Sequence, residues 1–395
     1  MTPRRSAWAL VTAMALLWHP GAGAAADATR GKYLATAGDC AACHTRAHGP
    51  AFAGGEALRS GPNIIYSMNI TPDRATGIGG WSADAFYRAL HDGISPTHGH
   101  LYPAFPYPHF RLVSRADSDD ILAYLRTLKP VHASPPPDRV MFPLSIRAGM
   151  IAWNALYLGR IAYRPDPTRS AQWNRGALLV RGLEHCGDCH TPRNLLFAEE
   201  TGRQLHGATV EGWFAPDLTP VPRSGLGDWS AADIVQFLKT GRNSHEWAVG
   251  TMREVIADST SRLSDADVAA IAAYLKSMRR KASVMPAGPP ARTMQEGKIV
   301  YALRCSACHG DDGRARLYPS LAGNTLVQAS NPATVLRVIR HGSQSLQPPQ
   351  GSPGFSMPGF STLSNRDIAA VATYIRNAWG NRGSTVRPSD VSSAP

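Results

Sequence analysis

A five-residue pattern, Cys-x-x-Cys-His, occurs three times in this chain and accounts for all six of its cysteines. Two thiols at this spacing can add across the two vinyl groups of a haem, and the histidine that follows supplies an imidazole to the iron. A structural zinc site would need four cysteine or histidine ligands, and a redox dithiol would need a βαβ pattern around it. The pattern therefore predicts three covalently bound haem c groups. The predicted attachment and iron-binding residues are Cys40, Cys43, His44, Cys186, Cys189, His190, Cys305, Cys308 and His309.

The composition is consistent with several small domains that each enclose a haem. The 395 residues are enough for two to four domains at about 100–150 residues each. The 36 glycines and 31 prolines indicate many turns and long loops, which haem domains tolerate because the macrocycle supplies part of the apolar core. The net charge of +12 is spread along the chain without a nucleic-acid-binding motif, so we expect no nucleic-acid partner. A basic surface favours docking onto an acidic protein or an anionic membrane face.

Residues 1–26 have the pattern of a secretory signal peptide. Arg4 and Arg5 form a positive start, residues 7–18 form a short apolar stretch, and small residues follow at a cleavage site. The apolar stretch is shorter than the roughly twenty residues that a membrane span requires. We therefore expect cleavage of this peptide and export to the periplasm. The basic surface is compatible with peripheral attachment to the inner membrane.

Each haem motif lies between two helix-like segments, which predicts a mainly α fold with long loops and little or no sheet. Apolar residues recur at steps of three and four in the closing segment of each unit, with acidic residues in its first turn. Ser114, Ser264 and Ser364 precede these segments and are natural helix caps. Two terminal helices that cross beside a haem are the plan of the class I cytochrome c fold, so the repeat predicts three such domains in series. The predicted units are a first domain at 27–134, a linker with an apolar helix at 135–170, a second domain at 171–284, a third domain at 285–380 and a disordered tail at 381–395.

Within the linker, residues 145–161 are apolar and compatible with a helix, with Met150, Trp153 and Tyr157 along one side. A single amphipathic helix of this kind mostly covers a core. We therefore expect it to pack between the first two domains. A contact with a partner subunit or a membrane surface is the alternative interpretation.

A low-spin electron-transfer haem needs a second axial ligand, and a methionine opposite the histidine raises its potential. Met357 lies just before the closing helix of the third domain, and Met252 has a similar placement in the second domain. Methionine is more often a core residue. Given the haem motifs, we nevertheless predict that Met252 and Met357 bind the irons of their domains.

The first domain departs from this pattern because its corresponding loop holds no methionine. Alignment of Asn69–Pro72 with Asp217–Pro220 places Ala104 and Phe105 opposite Met252. Met68 aligns with Pro216, a position on the side of the iron-binding histidine in class I cytochromes. The sixth ligand of the first haem is therefore left open between Met68, His98, His100, His109 and a five-coordinate iron packed against Phe105.

These features resemble the tri-haem cytochrome c subunit of periplasmic, membrane-associated dehydrogenases. That family includes subunits of quinoprotein alcohol dehydrogenase and of FAD-dependent gluconate, sorbitol and fructose dehydrogenases. The resemblance covers about residues 30–380, and its most specific segments are 38–45, 65–73, 76–82, 101–108, 185–193, 225–230 and 237–242. It implies that a large catalytic subunit with PQQ or FAD, with or without a small subunit, oxidises an alcohol, sugar, sugar acid or aldehyde. Electrons would then pass through the three haems to ubiquinone or a terminal oxidase.

Two departures from the family concern the first haem and the C-terminus. The family has a methionine where Phe105 stands, and many quinone-linked members have a C-terminal hydrophobic anchor that this tail does not show. The leading hypothesis is an electron-transfer subunit without substrate chemistry of its own. The alternatives are an electron acceptor for a molybdenum hydroxylase, a free-standing carrier, and a cytochrome whose first haem has an open, reactive site.

Overall fold

A computed structural model of the chain describes residues 25–159, 163–279, 285–315, 317–344 and 356–393. Residues 1–24, nearly all of the predicted signal peptide, lie outside these ranges. Within them, helices dominate and strands form four two-stranded antiparallel hairpins. The prediction of a mainly α chain with little sheet is confirmed. No helix in the described ranges is long and apolar enough to cross a bilayer.

The three domains repeat one plan, in which a lead-in helix, a one-turn helix with the haem motif and a closing helix are joined by loops and short hairpins. The first domain contains α1 (Ala28–Ala37), α2 (Cys40–His44), β1 (Ala57–Ser60), β2 (Asn63–Tyr66), α3 (Ala83–Asp92), β3 (Ile94–Ser95), β4 (Gly99–His100), α4 (Tyr107–Phe110) and α5 (Arg115–Arg126). The linker contains α6 (Gly149–Tyr157). The second domain contains α7 (Ala171–Leu178), a π turn (Leu179–Leu183), α8 (Cys186–His190), β5 (Ala208–Val210), β6 (Trp213–Ala215), α9 (Ala231–Thr240), α10 (Met252–Asp258) and α11 (Asp265–Ser277), with 3₁₀ turns at Thr201–Arg203 and Thr260–Arg262. The third domain contains α12 (Ala291–Arg304), α13 (Ser306–His309), α14 (Ala333–His341), β7 (Ser343–Gln344), β8 (Ser356–Met357), α15 (Asn365–Ile375) and α16 (Pro388–Ser393).

The lead-in helix of each domain crosses the closing helix at a glycine. A β-carbon at Gly31 would lie 1.8 Å from the carbonyl oxygen of Asp120, and one at Gly176 would lie 2.0 Å from that of Ala270. In the third domain, a β-carbon at Gly297 would lie 2.1 Å from the carbonyl oxygen of Ala370. These distances are far below van der Waals contact, so only glycine allows the two backbones to approach this closely.

The closing helices begin where the sequence predicts. The hydroxyls of Ser114, Ser264 and Ser364 accept hydrogen bonds from backbone N–H groups three residues later, which confirms the predicted caps. Ion pairs brace the crossings beside these caps. Arg30 pairs with Asp117 and Asp120, Arg175 pairs with Asp267 at 2.7 Å, and in the third domain the charges are exchanged, so that Glu296 pairs with Arg366 at 2.7 Å.

The linker helix α6 packs between the first two domains, as expected. Met150 is buried, and the indole N–H of Trp153 donates to the carbonyl of Leu196 in the second domain (2.8 Å). On the other side, the hydroxyl of Tyr107 in the first domain donates to the side-chain oxygen of Asn154 (2.6 Å). The predicted segment extended to residue 161, of which residues 160 and 161 lie outside the described ranges.

The first two domains share one hydrophobic core, whereas the third has a core of its own. The third domain contacts the second mainly through α14 and the β5–β6 hairpin. Thr334 donates to the carbonyl of Phe214 and accepts from its N–H (3.0 and 2.7 Å). The guanidinium of Arg337 lies over the ring of Trp213, 4.6 Å from its centroid. The second domain therefore contacts both the first and the third domain.

The prediction of a disordered tail is wrong for residues 381–393. α16 packs against α15, and Val386 and Val391 are buried in the core of the third domain. The side chain of Arg376 is fully buried and donates to the carbonyls of Val327 and Ala329 (2.8 and 2.9 Å) and to Ser384 in the tail (2.9 Å). The serine- and proline-rich composition suggested disorder, but two valines and an arginine that needs acceptors hold the segment in place.

Candidate haem-binding sites

The histidine of each motif is oriented by a backbone carbonyl. The Nδ1 atoms of His44, His190 and His309 lie 2.6, 2.7 and 3.1 Å from the carbonyl oxygens of Met68, Pro216 and Pro319. Nδ1 therefore carries the proton, and the lone pair of Nε2 is left for iron. Burial lowers the pKa of all three imidazoles, which keeps them neutral, as an iron ligand must be.

Five of the six motif cysteines lie in surroundings that disfavour a thiolate. Burial raises the pKa of Cys40, Cys43 and Cys189 to about 12 and that of Cys305 to about 11. A redox dithiol or a thiolate metal ligand requires a lowered thiol pKa. Thioether bonds carry no charge, so these environments fit covalent haem attachment.

The first domain encloses a cavity of about 490 Å³ with largely apolar walls. This volume lies within the range of about 300–1,000 Å³ that is typical of sites for small molecules and cofactors. Cys40, Cys43 and His44 line the cavity, and so does Trp81. The indole Nε1 of Trp81 is buried and has no hydrogen-bond partner, which leaves a donor that a haem propionate would satisfy. The cavity therefore fits a haem in size, wall chemistry and donor placement.

The predicted sixth ligands occupy different settings. Met252 is the first residue of α10 and is half-buried against the shared core, and Met357 lies in β8, paired with Ser343. Their binding to iron stays a prediction. In the first domain, Phe105 and His98 both line the cavity, whereas His100 is not among its lining residues.

Two of the candidates for the first haem have other roles. The Met68 carbonyl holds the ring of His44, so Met68 lies on the histidine side of the cavity. The ring of His109 is fully occupied: Nδ1 lies 2.9 Å from the carbonyl oxygen of Arg181, and Nε2 lies 2.6 Å from Glu199. Burial lowers the pKa of His109, but the hydrogen bond and the charge of Glu199 outweigh burial, so the pKa is raised. His109 therefore joins the two domains.

The first two haem motifs lie beside each other across the domain contact. His185, which precedes Cys186, lines the cavity of the first domain, and its ring lies 5.5 Å from that of Phe110. The Cys43 and Cys189 thiols are close enough to influence each other electrostatically. A β-carbon on Gly187, inside the second motif, would lie 2.9 Å from the ring of His109. The first two haems would therefore be neighbours.

Two buried acids beside these motifs were missed by the sequence analysis. Burial raises the pKa of Asp39, which precedes Cys40, to about 7, and that of Glu184 to about 8. Glu184 accepts a hydrogen bond from Ser259 (3.1 Å), and an oxygen of Asp39 is buried without a partner. Their positions next to the motifs were visible in the sequence, but their burial depends on the contact between two domains.

Three repeated units, each with a cysteine pair and a carbonyl-oriented histidine on a one-turn helix, define a three-domain c-type cytochrome. Comparison with known proteins agrees, since the cytochrome c family matches residues 28–129, 174–279 and 294–379. The chain belongs to the cytochrome c family, and within it to the group that contains the cytochrome c subunits of dehydrogenases.

Three relatives illustrate this group. The chain is 38% identical to the fructose dehydrogenase cytochrome subunit of Gluconobacter japonicus, over 91% of this chain and 80% of the relative. It is 37% identical to the cytochrome c subunit of a quinone alcohol dehydrogenase of Gluconacetobacter polyoxogenes, over 98% and 87%. It is 42% identical to a nicotinate dehydrogenase subunit of Pseudomonas putida, over 91% of this chain but only 31% of that longer protein. The resemblance inferred from the motifs is confirmed.

Proposed function

We propose that this chain is the tri-haem electron-transfer subunit of a periplasmic dehydrogenase complex. It would accept electrons from a large catalytic subunit that uses PQQ or FAD to oxidise an alcohol, sugar or aldehyde, with or without a small subunit. It would deliver them to ubiquinone or a terminal oxidase. The observation that carries the proposal is the repetition, in three domains in contact, of a cysteine pair beside a histidine held by a backbone carbonyl. The named functions of the relatives support the assignment of the partner.

The haem iron supplies one-electron redox chemistry when it is bound, and the protein residues tune and shield it. The carbonyls of Met68, Pro216 and Pro319 orient the three imidazoles. The apolar wall around Ile78, Leu90 and Phe110 excludes water from the first site. Met252 and Met357 would complete the coordination of the second and third irons and raise their potentials. In this proposal, the chain contributes no substrate chemistry of its own.

We further propose export with cleavage of residues 1–26 and peripheral attachment to the inner membrane through an apolar surface of the linker. This linker surface consists of Met141, Phe142, Ile146, Ile151 and Leu156 of the linker together with Leu195 and Leu196 of the second domain. Phe142, Leu156 and Leu195 are 78%, 70% and 98% exposed. The bond from Trp153 to the Leu196 carbonyl joins the two parts of the surface.

Charge favours a lipid rather than a protein as the occupant of the linker surface. The sequence from 139 to 164 contains four arginines and no aspartate or glutamate. Asp138 precedes this stretch and pairs with Arg147 (2.5 Å), so the stretch keeps an excess of positive charge. Exposed apolar side chains beside an excess of cations are typical of proteins that lie on anionic bilayers. Arg147 and Tyr102 lie between this surface and the first haem cavity, which both of them line. The first haem would therefore face the membrane.

The electron-transfer proposal is tested by purifying the full chain from its native complex. We expect three haems per chain, a stably bound dehydrogenase subunit, and reduction of all three haems when that subunit receives its substrate. A preparation with three haems but no bound catalytic subunit at any stage would favour a free-standing carrier and contradict the proposal.

The membrane proposal is tested by flotation with anionic vesicles. Each of Phe142→Ser and Leu156→Ser removes an exposed side chain whose full burial is worth about 1.5–3 kcal/mol, so we expect partitioning to fall by about tenfold or more. Leu303→Ser, at an equally exposed position (73%) on α12, is the matched control and should leave flotation unchanged. If the linker variants float normally but lose the catalytic subunit, the surface is a subunit interface and the proposal fails.

A further inference from the structure

The first and second domains differ at the loop that follows the glycine capping a helix, Gly93 after α3 and Gly241 after α9. In the second domain this loop leads to Met252. In the first domain the aligned residue is Phe105, whose ring lines the haem cavity and lies 5.5 Å from the ring of Phe110. A phenyl ring offers no lone pair to iron, so the donor of the second domain has no counterpart at this position in the first.

The structure removes three of the four alternative donors for the first iron. The carbonyl of Met68 holds His44, which places Met68 on the histidine side. The ring nitrogens of His109 are occupied by Arg181 and Glu199 at the domain contact. His100 is not among the residues that line the described cavity. His98 is the candidate that remains at the cavity.

His98 is held in place by its own hairpin. It lies in the turn between β3 and β4, in which Ser95 pairs with Gly99. The buried hydroxyl of Ser95 accepts the backbone N–H groups of Thr97 and His98 (3.2 and 3.3 Å). The hydroxyl of Thr97 bonds the Nδ1 atom of His98 (2.8 Å), which fixes the ring and leaves Nε2 without a bond among the described contacts. A ligand that is oriented through one ring nitrogen and free at the other is the arrangement of metal-binding histidines.

The corresponding loop of the second domain has a histidine with a different role. His245 stacks on Trp229, with the ring centroids 5.3 Å apart, and its Nε2 lies 3.5 Å from Asp233. The domain that has the methionine thus directs its loop histidine away to a tryptophan and an aspartate. The domain that lacks the methionine has its loop histidine among the residues that line the haem cavity.

We propose that His98 provides the sixth ligand of the first haem iron through Nε2. The first haem is then ligated by two histidines, His44 and His98, whereas the second and third are ligated by histidine and methionine. Because methionine raises the potential relative to histidine, the first haem has the lowest potential of the three. The inference rests on haem attachment at Cys40 and Cys43, as in the proposed function, but not on which dehydrogenase is the partner.

The test uses the full chain with all its haems, as wild type and as His98→Ala, with His100→Ala as the matched control. Low-temperature EPR and near-infrared magnetic circular dichroism distinguish histidine–histidine from histidine–methionine ligation. We expect one haem of the first kind and two of the second in the wild type and in His100→Ala. In His98→Ala, the histidine–histidine signal should be lost, and the reduced protein should gain carbon monoxide binding at one haem.

A third variant, Phe105→Met combined with His98→Ala, restores the sulfur donor of the second domain. It should show three histidine–methionine haems and a first potential above that of the wild type. The inference is overturned if the wild type binds carbon monoxide at one haem, or if the histidine–histidine signal persists in His98→Ala or disappears in His100→Ala. Haem content is measured separately by the pyridine haemochrome method. Fewer than three haems in the wild type would count against the proposed function, whereas three haems without a histidine–histidine signal would count against this inference alone.

Discussion

At the scale of the residue, the second and third domains each have one methionine in the loop opposite the haem motif. Met252 begins α10 and Met357 lies in a two-residue strand, so both are placed by short elements rather than inside long helices. A sulfur donor stabilises ferrous iron relative to ferric iron, which is why its removal lowers a potential.

We therefore expect Met252→Ala and Met357→Ala each to lower the midpoint potential of one haem. Axial ligands set haem potentials over a range of about 0.8 V, and the shift should be a sizeable part of that range. Potentiometric titration of the three haems measures it. Met278→Ala, which removes a half-buried methionine outside these loops, is the control and should move none of the three midpoints. Three unchanged midpoints in a ligand variant would exclude that methionine as a ligand.

The buried carboxyl of Glu184 links stability to pH. Burial raises its folded pKa from 4.5 to about 8, against the hydrogen bond from Ser259, which lowers it. The folded protein keeps a proton that the unfolded chain releases above about pH 4.5. The contribution of this proton to the free energy of unfolding is fully present below about pH 4.5 and is lost as the pH rises towards 8. Over that range the free energy of unfolding falls by at most about 1.4 kcal/mol per pH unit.

Glu184→Gln should flatten this slope, because a neutral amide has no proton to release. We expect the free energy of unfolding of the wild type to fall between pH 5 and pH 8, and that of the variant to fall less. Denaturant titrations at both pH values measure this difference. Asp84→Asn, at a side chain that is 78% exposed, is the control and should keep the wild-type slope. Parallel pH dependence in wild type and Glu184→Gln would contradict the assignment.

The local chemistry of these residues explains which of them the sequence could predict. The cysteines, the motif histidines and the methionine loops follow from spacing along one chain segment. Glu184 and Asp39 could not be recognised in this way, because their burial arises where the second domain covers the first. The role of His109 was also hidden, since both of its partners lie in the next domain.

At the scale of the element, each helix crossing depends on a glycine. Gly176→Ala would bring a methyl group to 2.0 Å from the carbonyl oxygen of Ala270, so α7 and α11 must move apart. Overpacking of this kind typically costs about 1–3 kcal/mol, and we expect at least that loss in the free energy of unfolding. Thermal and denaturant unfolding measure it.

Gly202→Ala is the matched control for this crossing. Nothing lies within 4 Å of a β-carbon at Gly202, which is in a surface turn of the same domain. The free energy of unfolding of Gly202→Ala should lie within about 0.5 kcal/mol of the wild-type value. If Gly176→Ala were as stable as Gly202→Ala, the helices would not need the close approach that the structure shows.

Helix periodicity and serine caps were sufficient to predict the closing helices, because both signals are local. The crossing glycines were not recognised as contact residues, since a glycine in a helix gives no local sign of what lies opposite it. The tail was predicted wrongly for a related reason. Its composition indicates disorder, but Val386 and Val391 are stabilised by α15, which lies earlier in the chain.

At the scale of the whole molecule, the contacts between domains determine how electrons can pass from one haem to another. The first two domains share a core, so their haem motifs are held in one unit. The third domain is attached through polar contacts to the second, including Thr334 with Phe214 and Trp229 with Thr325 (2.9 Å). The sequence repeat predicted three domains in series but contained no information about these contacts, which involve residues outside the repeated motifs.

We expect Thr334→Val to loosen the third domain without unfolding it. Valine has the same shape but leaves the N–H and carbonyl of Phe214 unsatisfied, at a cost of about 1–3 kcal/mol for each buried group. The weakened contact should slow electron equilibration between the third haem and the other two. The midpoint potential of the third haem should stay the same, because Thr334 does not belong to the haem site. Flash-photoreduction kinetics measure the equilibration rate, and small-angle scattering detects any increase in the radius of gyration.

Thr373→Val provides a matched control, because Thr373 is also buried and makes the same pair of bonds, to the N–H and carbonyl of Val386 (2.9 and 3.4 Å). These bonds lie inside the third domain, so their loss should lower that domain's stability but leave the rate of equilibration unchanged. If both variants slowed electron transfer equally, the effect would come from instability of the third domain. If neither did, the contact between α14 and the β5–β6 hairpin would not control the path. A slower rate in Thr334→Val alone would show that the third haem exchanges electrons with the others through the second domain.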